Sequence, residues 1–270
     1  MMIAVLRAEL RKLRRPTLFL PTMLAASGLT ALTTSLLYLL IDSPNGNGRE
    51  GMRVTAKRLS APDGLVFGFQ SAATLLGVIA LCVFAAQTAQ EYTYGTLRNI
   101  LVRQPSRMKV LGGKYLAMSL FALLIVVVSA AVSFALSFAL ASGAKVSTSL
   151  WTSVDGRQAT LTALVNVTVA TIGFGTCGMI LGLLLRSPIS SIAIGVIWIL
   201  IVENLLTAVV SGIDKYLPGQ LLTAVSTGGS TSLNGTEVIT FKYGLVVSAL
   251  YVISGAVLVS ILFKRRDVAN

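Results

Sequence analysis

Six long apolar runs leave this chain few folds to choose from. They cover approximately 17–41, 65–89, 115–141, 159–185, 189–211 and 243–263, and crossing a hydrocarbon core of about 30 Å takes roughly 20 helical residues. None of the six alternates with period 2, so they read as helices and not as strands of a barrel. With 54% hydrophobic and 12% charged residues and a mean hydropathy of +0.81, the chain falls well below the roughly 25% charge of soluble domains. The expected fold class is therefore all-α: a polytopic membrane protein with six transmembrane helices in one domain, 1–270. The first run follows a basic segment, as a signal peptide would. It exceeds the about 7–15 apolar residues of a signal core, so it reads as a retained first helix. Pro21 is expected in the first turn of that run, where a missing N–H does no harm.

The loops divide unevenly in charge. On one side lie Arg7, Arg11, Lys12, Arg14, Arg15, Arg98, Arg103, Arg107, Lys109, Lys114, Arg186, Lys264, Arg265 and Arg266, fourteen of the 22 Lys and Arg. The other side holds Arg49, Arg53, Lys57, Arg58, Lys145, Arg157, Lys215 and Lys242. The excess places the first side in the cytoplasm, with both termini inside and the protein in a plasma membrane of the bacterial inner-membrane kind. Much of the +12 net charge then faces the cytoplasm, and no aromatic-interleaved basic motif directs it to nucleic acid. Residues 1–16 carry Ile3, Leu6, Leu10 and Leu13 at helical spacing with most basic residues on other faces. That pattern fits a helix in the inner interface beside anionic headgroups, or a plain positive-inside anchor.

Histidine is absent, which removes the commonest general base and metal ligand; no catalytic residue and no metal site is expected. Cys82 and Cys177 lie in apolar runs without a CxxC partner, as small buried hydrophobes do. "GFGTCG" at 173–178 matches the dinucleotide fingerprint in letters, but no strand precedes it. Gly175, Gly178 and Gly182 instead offer a smooth face for close helix packing. "LGGKY" at 111–115 lacks the earlier glycine and the Ser or Thr of a phosphate-binding loop, so the chain has no nucleotide site of its own.

Glu203, beside Asn204, is the one acid inside a span, about 21 Å from that span's cytoplasmic end at about 1.5 Å per residue. An ionisable group there should face the bundle interior or water. Two readings stand open: a polar point on a pathway or dimer seam, or a carboxyl hydrogen-bonded to a neighbouring helix. In the 212–242 connection, Pro218-Gly219 should open a short apolar helix, too short to span and suited to a re-entrant position. In the 42–64 connection a short helix is expected near 52–60.

The most patterned polar stretch is 90–114, "QEYTYGTLRNILVRQPSRMKVLGGK". From Tyr92 to Arg103 it reads as a short amphipathic helix with Leu97, Ile100 and Leu101 as an apolar ridge. Pro105 breaks it, since the residue before proline is pushed out of the helical region, and Ser106 can cap a new helix carrying Arg107 into the third span. An apolar ridge with basic flanks is a good knob for a groove in a soluble protein; an ordinary positive-inside loop would explain the charge but not the ordered sequence.

This stretch, extended to "QEYTYGTLRNILVRQPSRMKVLGGKYLA", resembles the loop between the second and third helices of type-2 ATP-binding-cassette (ABC) transporter permeases, in which a Glu, a Gly-Thr-Leu and a Ser-Arg…Gly-Lys recur. The resemblance extends to the basic N-terminus, the six spans, the inner turn "LRSPIS" (185–190) and "YLPGQLLTAV" (216–225). It implies an export permease subunit for an amphipathic or hydrophobic compound, such as a drug, an antibiotic, a lipid-like molecule or a peptide. Two permease copies or homologues would pair in the membrane above two cytoplasmic ATPase subunits, which would bind the ATP and Mg. The loop 90–114 would carry the coupling helix, with Glu91 at its hinge pairing with a basic group of the loop or the ATPase. Tyr92, Gly95, Thr96, Leu97, Arg98, Ile100, Leu101, Arg103, Pro105, Ser106 and Arg107 would form the ATPase contact. Tyr216, Leu217, Pro218, Leu221 and Leu222 would form part of an outer gate. A non-transporting subunit that relays ATPase movement to a partner, or serves as a signalling or assembly scaffold, would use the same loop.

Overall fold

The computed structural model describes residues 2–41, 55–95, 106–231 and 238–265. Helix α1 (Met2–Leu13) is followed almost at once by α2 (Pro16–Leu39). Pro16 occupies the first helical position of α2, where its fixed φ suits the helix and its missing N–H is not needed. Pro21 therefore lies within the helix, in its second turn and not in the first. A four-residue turn α3 (Ala56–Leu59), capped by the Thr55 hydroxyl accepting from Arg58 N–H, meets the short helix expected near 52–60 at its C-terminal end.

Helices α4 (Gly64–Ser71) and α5 (Ala73–Thr93) follow end to end and together make the second long apolar element. They are joined through Ala72, whose N–H still bonds the Gly68 and Phe69 carbonyls. Helix α6 (Arg107–Ala141) starts eight residues ahead of the expected third span, at Arg107. Ser106 is its N-cap residue, although its side chain makes no capping bond. Helix α7 (Val154–Leu185) ends at Arg186 in the left-handed region, φ 55°. Helix α8 (Pro188–Ile197) runs through a π-turn, Trp198–Val202, into α9 (Glu203–Val209). A 3-10 turn (Ile213–Tyr216) leads to α10 (Pro218–Thr227), the short helix expected in this connection. Two three-residue strands, β1 (Gly229–Thr231) and β2 (Val238–Thr240), pair antiparallel with Ser230 opposite Ile239. Helix α11 (Phe241–Arg265) completes the chain's described elements. The all-α expectation holds, with this small ladder as its one departure.

Six of these elements are long and apolar enough to cross a membrane: α2, α4–α5, α6, α7, α8–α9 and α11. The core lies among α2, α5, α6 and α7, where Phe69, Leu76, Phe84, Met118, Ile125 and Val167 are buried together. Helices α5 and α7 approach most closely through glycine. A Cβ on Gly178 would strike the Leu81 backbone carbonyl, and one on Gly175 would meet the Phe84 ring. In lipid, where apolar surface gains little from leaving its surroundings, such close backbone approach supplies much of the association. Polar atoms in the seam between α2 and α6 pair too, as Thr34 Oγ1 and Ser133 Oγ do at 2.9 Å. At the end of the bundle away from α1, Trp151 is buried and donates its indole N–H to the Leu59 carbonyl at 2.9 Å. Cys82 and Cys177 are free thiols packed with Leu81, Phe174 and Leu222.

Candidate functional site

Helix α1 turns its Val5 and Leu13 side, with Leu6 and Leu10 at the edge, onto the bundle and leaves Arg7, Arg11, Arg14 and Arg15 exposed. The same inward face carries Glu9, which interrupts the apolar stripe. Three helices meet there. Glu91, two residues before the end of α5, and Lys114, at the start of the third turn of α6, bury their charged ends against it. Lys114 Nζ lies 2.6 Å from Glu91 Oε1 and 3.1 Å from Glu9 Oε2. Lys12 Nζ lies 3.1 Å from the same Glu91 Oε1 and also donates to Glu9 Oε1. Two carboxylates and two ammonium groups thus alternate in a closed, electrically neutral square.

The burial is deep enough to matter: Lys114 is 2% exposed, Glu9 6% and Glu91 8%. An ion taken from water costs several kcal/mol even after relaxation. Here each charge is offset by two opposite ones, and the arrangement fails if any corner is removed. Burial raises the Glu9 carboxyl, but the Lys114 charge and the Lys12 hydrogen bond outweigh it and hold the group below its ordinary value. Burial likewise lowers Lys12, while the hydrogen bond to Glu9 and the Glu91 charge leave it raised.

Glu91 was expected to pair with a basic group of the loop or of the ATPase; within this chain it pairs with Lys114, at the end of the 90–114 stretch, and with Lys12. Lys114 is not in a loop, however, but inside α6. Tyr92 continues α5 and holds the Arg186 guanidinium over its ring at 5.3 Å. Tyr94 ends that helix, and Gly95 adopts φ +63°, a conformation that favours glycine. Thr96, Leu97, Arg98, Ile100, Leu101, Arg103 and Pro105 lie outside the described residues, so the short helix expected over 92–103 is described only at its start, where Tyr92 and Thr93 belong to α5. Ser106 and Arg107 begin α6. Sequence reasoning missed Glu9 and Lys12 as members of the site. The available signal was a carboxylate on an otherwise apolar helical stripe.

Another buried carboxylate sits nearer the other end. Glu203 is fully buried and accepts three hydrogen bonds. They come from the Trp198 indole at 3.0 Å and from the Gly219 and Gln220 backbone N–H groups at 2.9 Å each. Those two N–H groups belong to the first turn of α10, which no intrahelical partner can satisfy. Its carboxylate therefore serves as a cap supplied from another helix, where negative charge is favoured by the helix dipole. A Cβ on Gly219 would collide with that carboxylate, so glycine here permits the close approach. Of the two open readings for Glu203, the hydrogen-bonded carboxyl describes its contacts. Asn204 donates to the Ile199 and Leu200 carbonyls of the π-turn. Among the outer-gate candidates, Leu217, Leu221 and Leu222 are buried, Pro218 opens α10 half-buried, and Tyr216 is exposed. Sequence analysis chose Glu203 and the 216–225 segment separately; the fold makes them one unit.

The six apolar helices, with charged and polar groups buried inside the bundle, define a polytopic integral membrane protein. A family model described as "Protein of unknown function (DUF2705)" matches residues 54–269, and the chain belongs to that family. The "Uncharacterized protein YhcI" of Bacillus subtilis (strain 168) is 24% identical over 211 residues, 73% of this chain and 66% of that relative, slightly under two thirds of its length. Neither description names an activity.

Proposed function

We propose that this chain is the membrane-spanning permease subunit of an ABC exporter, forming a pathway for an amphipathic or hydrophobic compound and driven by ATP hydrolysis in a separate subunit. The observation that carries the reading is the neutral square of Glu9, Lys12, Glu91 and Lys114. It ties α1, α5 and α6 together at the point where the 96–105 segment leaves α5 and returns to α6. A soluble partner pressing on that segment would act on a charged joint at the base of two long helices. On this reading the α1 end is cytoplasmic, as the Lys and Arg distribution supports. The partners are two ATPase subunits and a second permease copy or homologue, and the nucleotide and Mg belong to the ATPase.

The test begins with the genes on either side. An adjacent ATPase with a phosphate-binding loop should co-purify with this chain and drive ATP-dependent export from sealed vesicles. A complex that assembles and hydrolyses ATP without moving any compound would instead support the relay or scaffold reading. Failure to bind any such ATPase would reject both.

A further inference from the structure

We propose that a polar cleft at the end of the bundle opposite α1 binds a small organic cation, a compound with an ammonium head on a short polar body. The cleft is open to one side and has a volume of about 430 Å³, within the range of roughly 300–1,000 Å³ typical of small-molecule sites. One wall is a face of α7. Asp155, Gln158, Thr162 and Asn166 line it, and their spacing of three and four residues places them on one side of the helix. Asp63 and Gln70, flanking and within α4, form the opposite wall, and Thr227 and Gly228 at the end of α10 close it.

The lining carries two carboxylates, three amides and two hydroxyls beside the apolar Val66, Ala159 and Ala163, with no Lys or Arg among the lining residues. The C-terminal end of α10 adds partial negative charge, and the first turn of α7, which holds Asp155, adds partial positive charge. The two acids differ. Asp63 is already held by both guanidinium nitrogens of Arg58, at 2.6 Å each. Asp155 has no ion-pair partner among the described residues and is exposed at the mouth, so it is the carboxylate available to an ammonium group.

Asn166 is the independent sign that something enters. It is 6% exposed and lines the cleft, yet its amide has no hydrogen-bond partner among the described residues. The amide is not sealed from solvent: its free hydrogen-bonding capacity opens onto the cleft, the side from which a partner can arrive. Asn166 stands twelve residues beyond Val154, about 18 Å along the helix at 1.5 Å per residue. The cleft thus carries polar groups well down a helix long enough to span. A divalent metal fits poorly, because calcium wants six to eight oxygen ligands and one of the two carboxylates is occupied by arginine. The proposal is independent of any ATPase.

Thiol labelling tests it on the purified full chain in nanodiscs, with Cys82 and Cys177 replaced by alanine. Asn166→Cys, or Thr162→Cys if the first does not insert, is treated with a trimethylammonium-ethyl methanethiosulfonate and with its sulfonate counterpart, each normalised to its rate with a free thiol. The cationic reagent should react about tenfold faster than the anionic one, as electrostatic focusing in a one-sign cleft produces. Asp155→Asn should remove most of that preference, and millimolar choline should slow the labelling. An unreactive cysteine at both positions, equal normalised rates, or a preference that choline does not slow would overturn the proposal. Protection by calcium chloride but not by choline would overturn it in favour of a metal site.

Discussion

The two ends of the bundle neutralise buried carboxylates in different ways. At the α1 end, Glu9 and Glu91 are met by ammonium groups on flexible four-carbon stems. Towards the other end, Glu203 is met by two backbone N–H groups and one indole. The first arrangement joins three helices through side chains that can exchange partners as the helices shift. The second fastens one short helix through donors fixed to its backbone. The contrast suggests a joint at one end and an anchor at the other.

Substitutions should separate the two. Lys114→Met removes the most buried corner of the square and leaves two carboxylates sharing Lys12. Breaking a buried pair in this way costs about 3–5 kcal/mol, so the thermal unfolding midpoint in detergent should fall more than for any other single change below. An unchanged midpoint would mean the square contributes nothing. Glu203→Leu strands the buried Gly219 N–H, at about 1–3 kcal/mol for a buried group left unpaired, while the Gln220 N–H and the Trp198 indole are only partly buried and can turn to other partners. Its effect should be local, with faster proteolysis or hydrogen exchange in 213–227 and the α1 end unaffected. Gly219→Ala, which presses a methyl group onto the Glu203 carboxylate, should cost about 1–3 kcal/mol as overpacking does and loosen the same segment. The exposed pair Arg58–Asp63 is the control: its removal should change stability by no more than about 1 kcal/mol.

Acid and base should also act on the joint. The lowered Glu9 carboxyl stabilises the fold above its ordinary value of 4.5, and that contribution is lost as pH falls through the lowered folded value. The raised Lys12 ammonium stabilises it below 10.5 and is lost as pH rises through the raised value. Stability should therefore be flat between these limits and fall outside them. Lys114→Met should alter the acid limb, because the Lys114 charge is the larger of the forces lowering Glu9.

Hydropathy made the spans legible because lipid demands length and apolarity, and the Gly175, Gly178 and Gly182 face was legible because close packing demands small residues. The start of α6 was not legible. Arg107, Lys109 and Lys114 resemble loop residues by composition, yet all three belong to α6, and Lys114 finds two carboxylates. The π-turn at Trp198–Val202 and the break at Ala72 leave no mark in residue type. Glu203 was visible as an anomaly, but two of its three partners are backbone atoms sixteen and seventeen residues away, and no side-chain pattern announces a backbone donor.

The most direct test of the joint is ATP-dependent export from vesicles holding this chain, its Glu91→Gln variant, or neither, each with the ATPase that the proposed function requires, sought among the neighbouring genes. The account predicts export by the unaltered chain. Glu91→Gln should still reach the membrane and bind the ATPase but lose most of the export per ATP hydrolysed. Equal export per ATP by the two chains would contradict it.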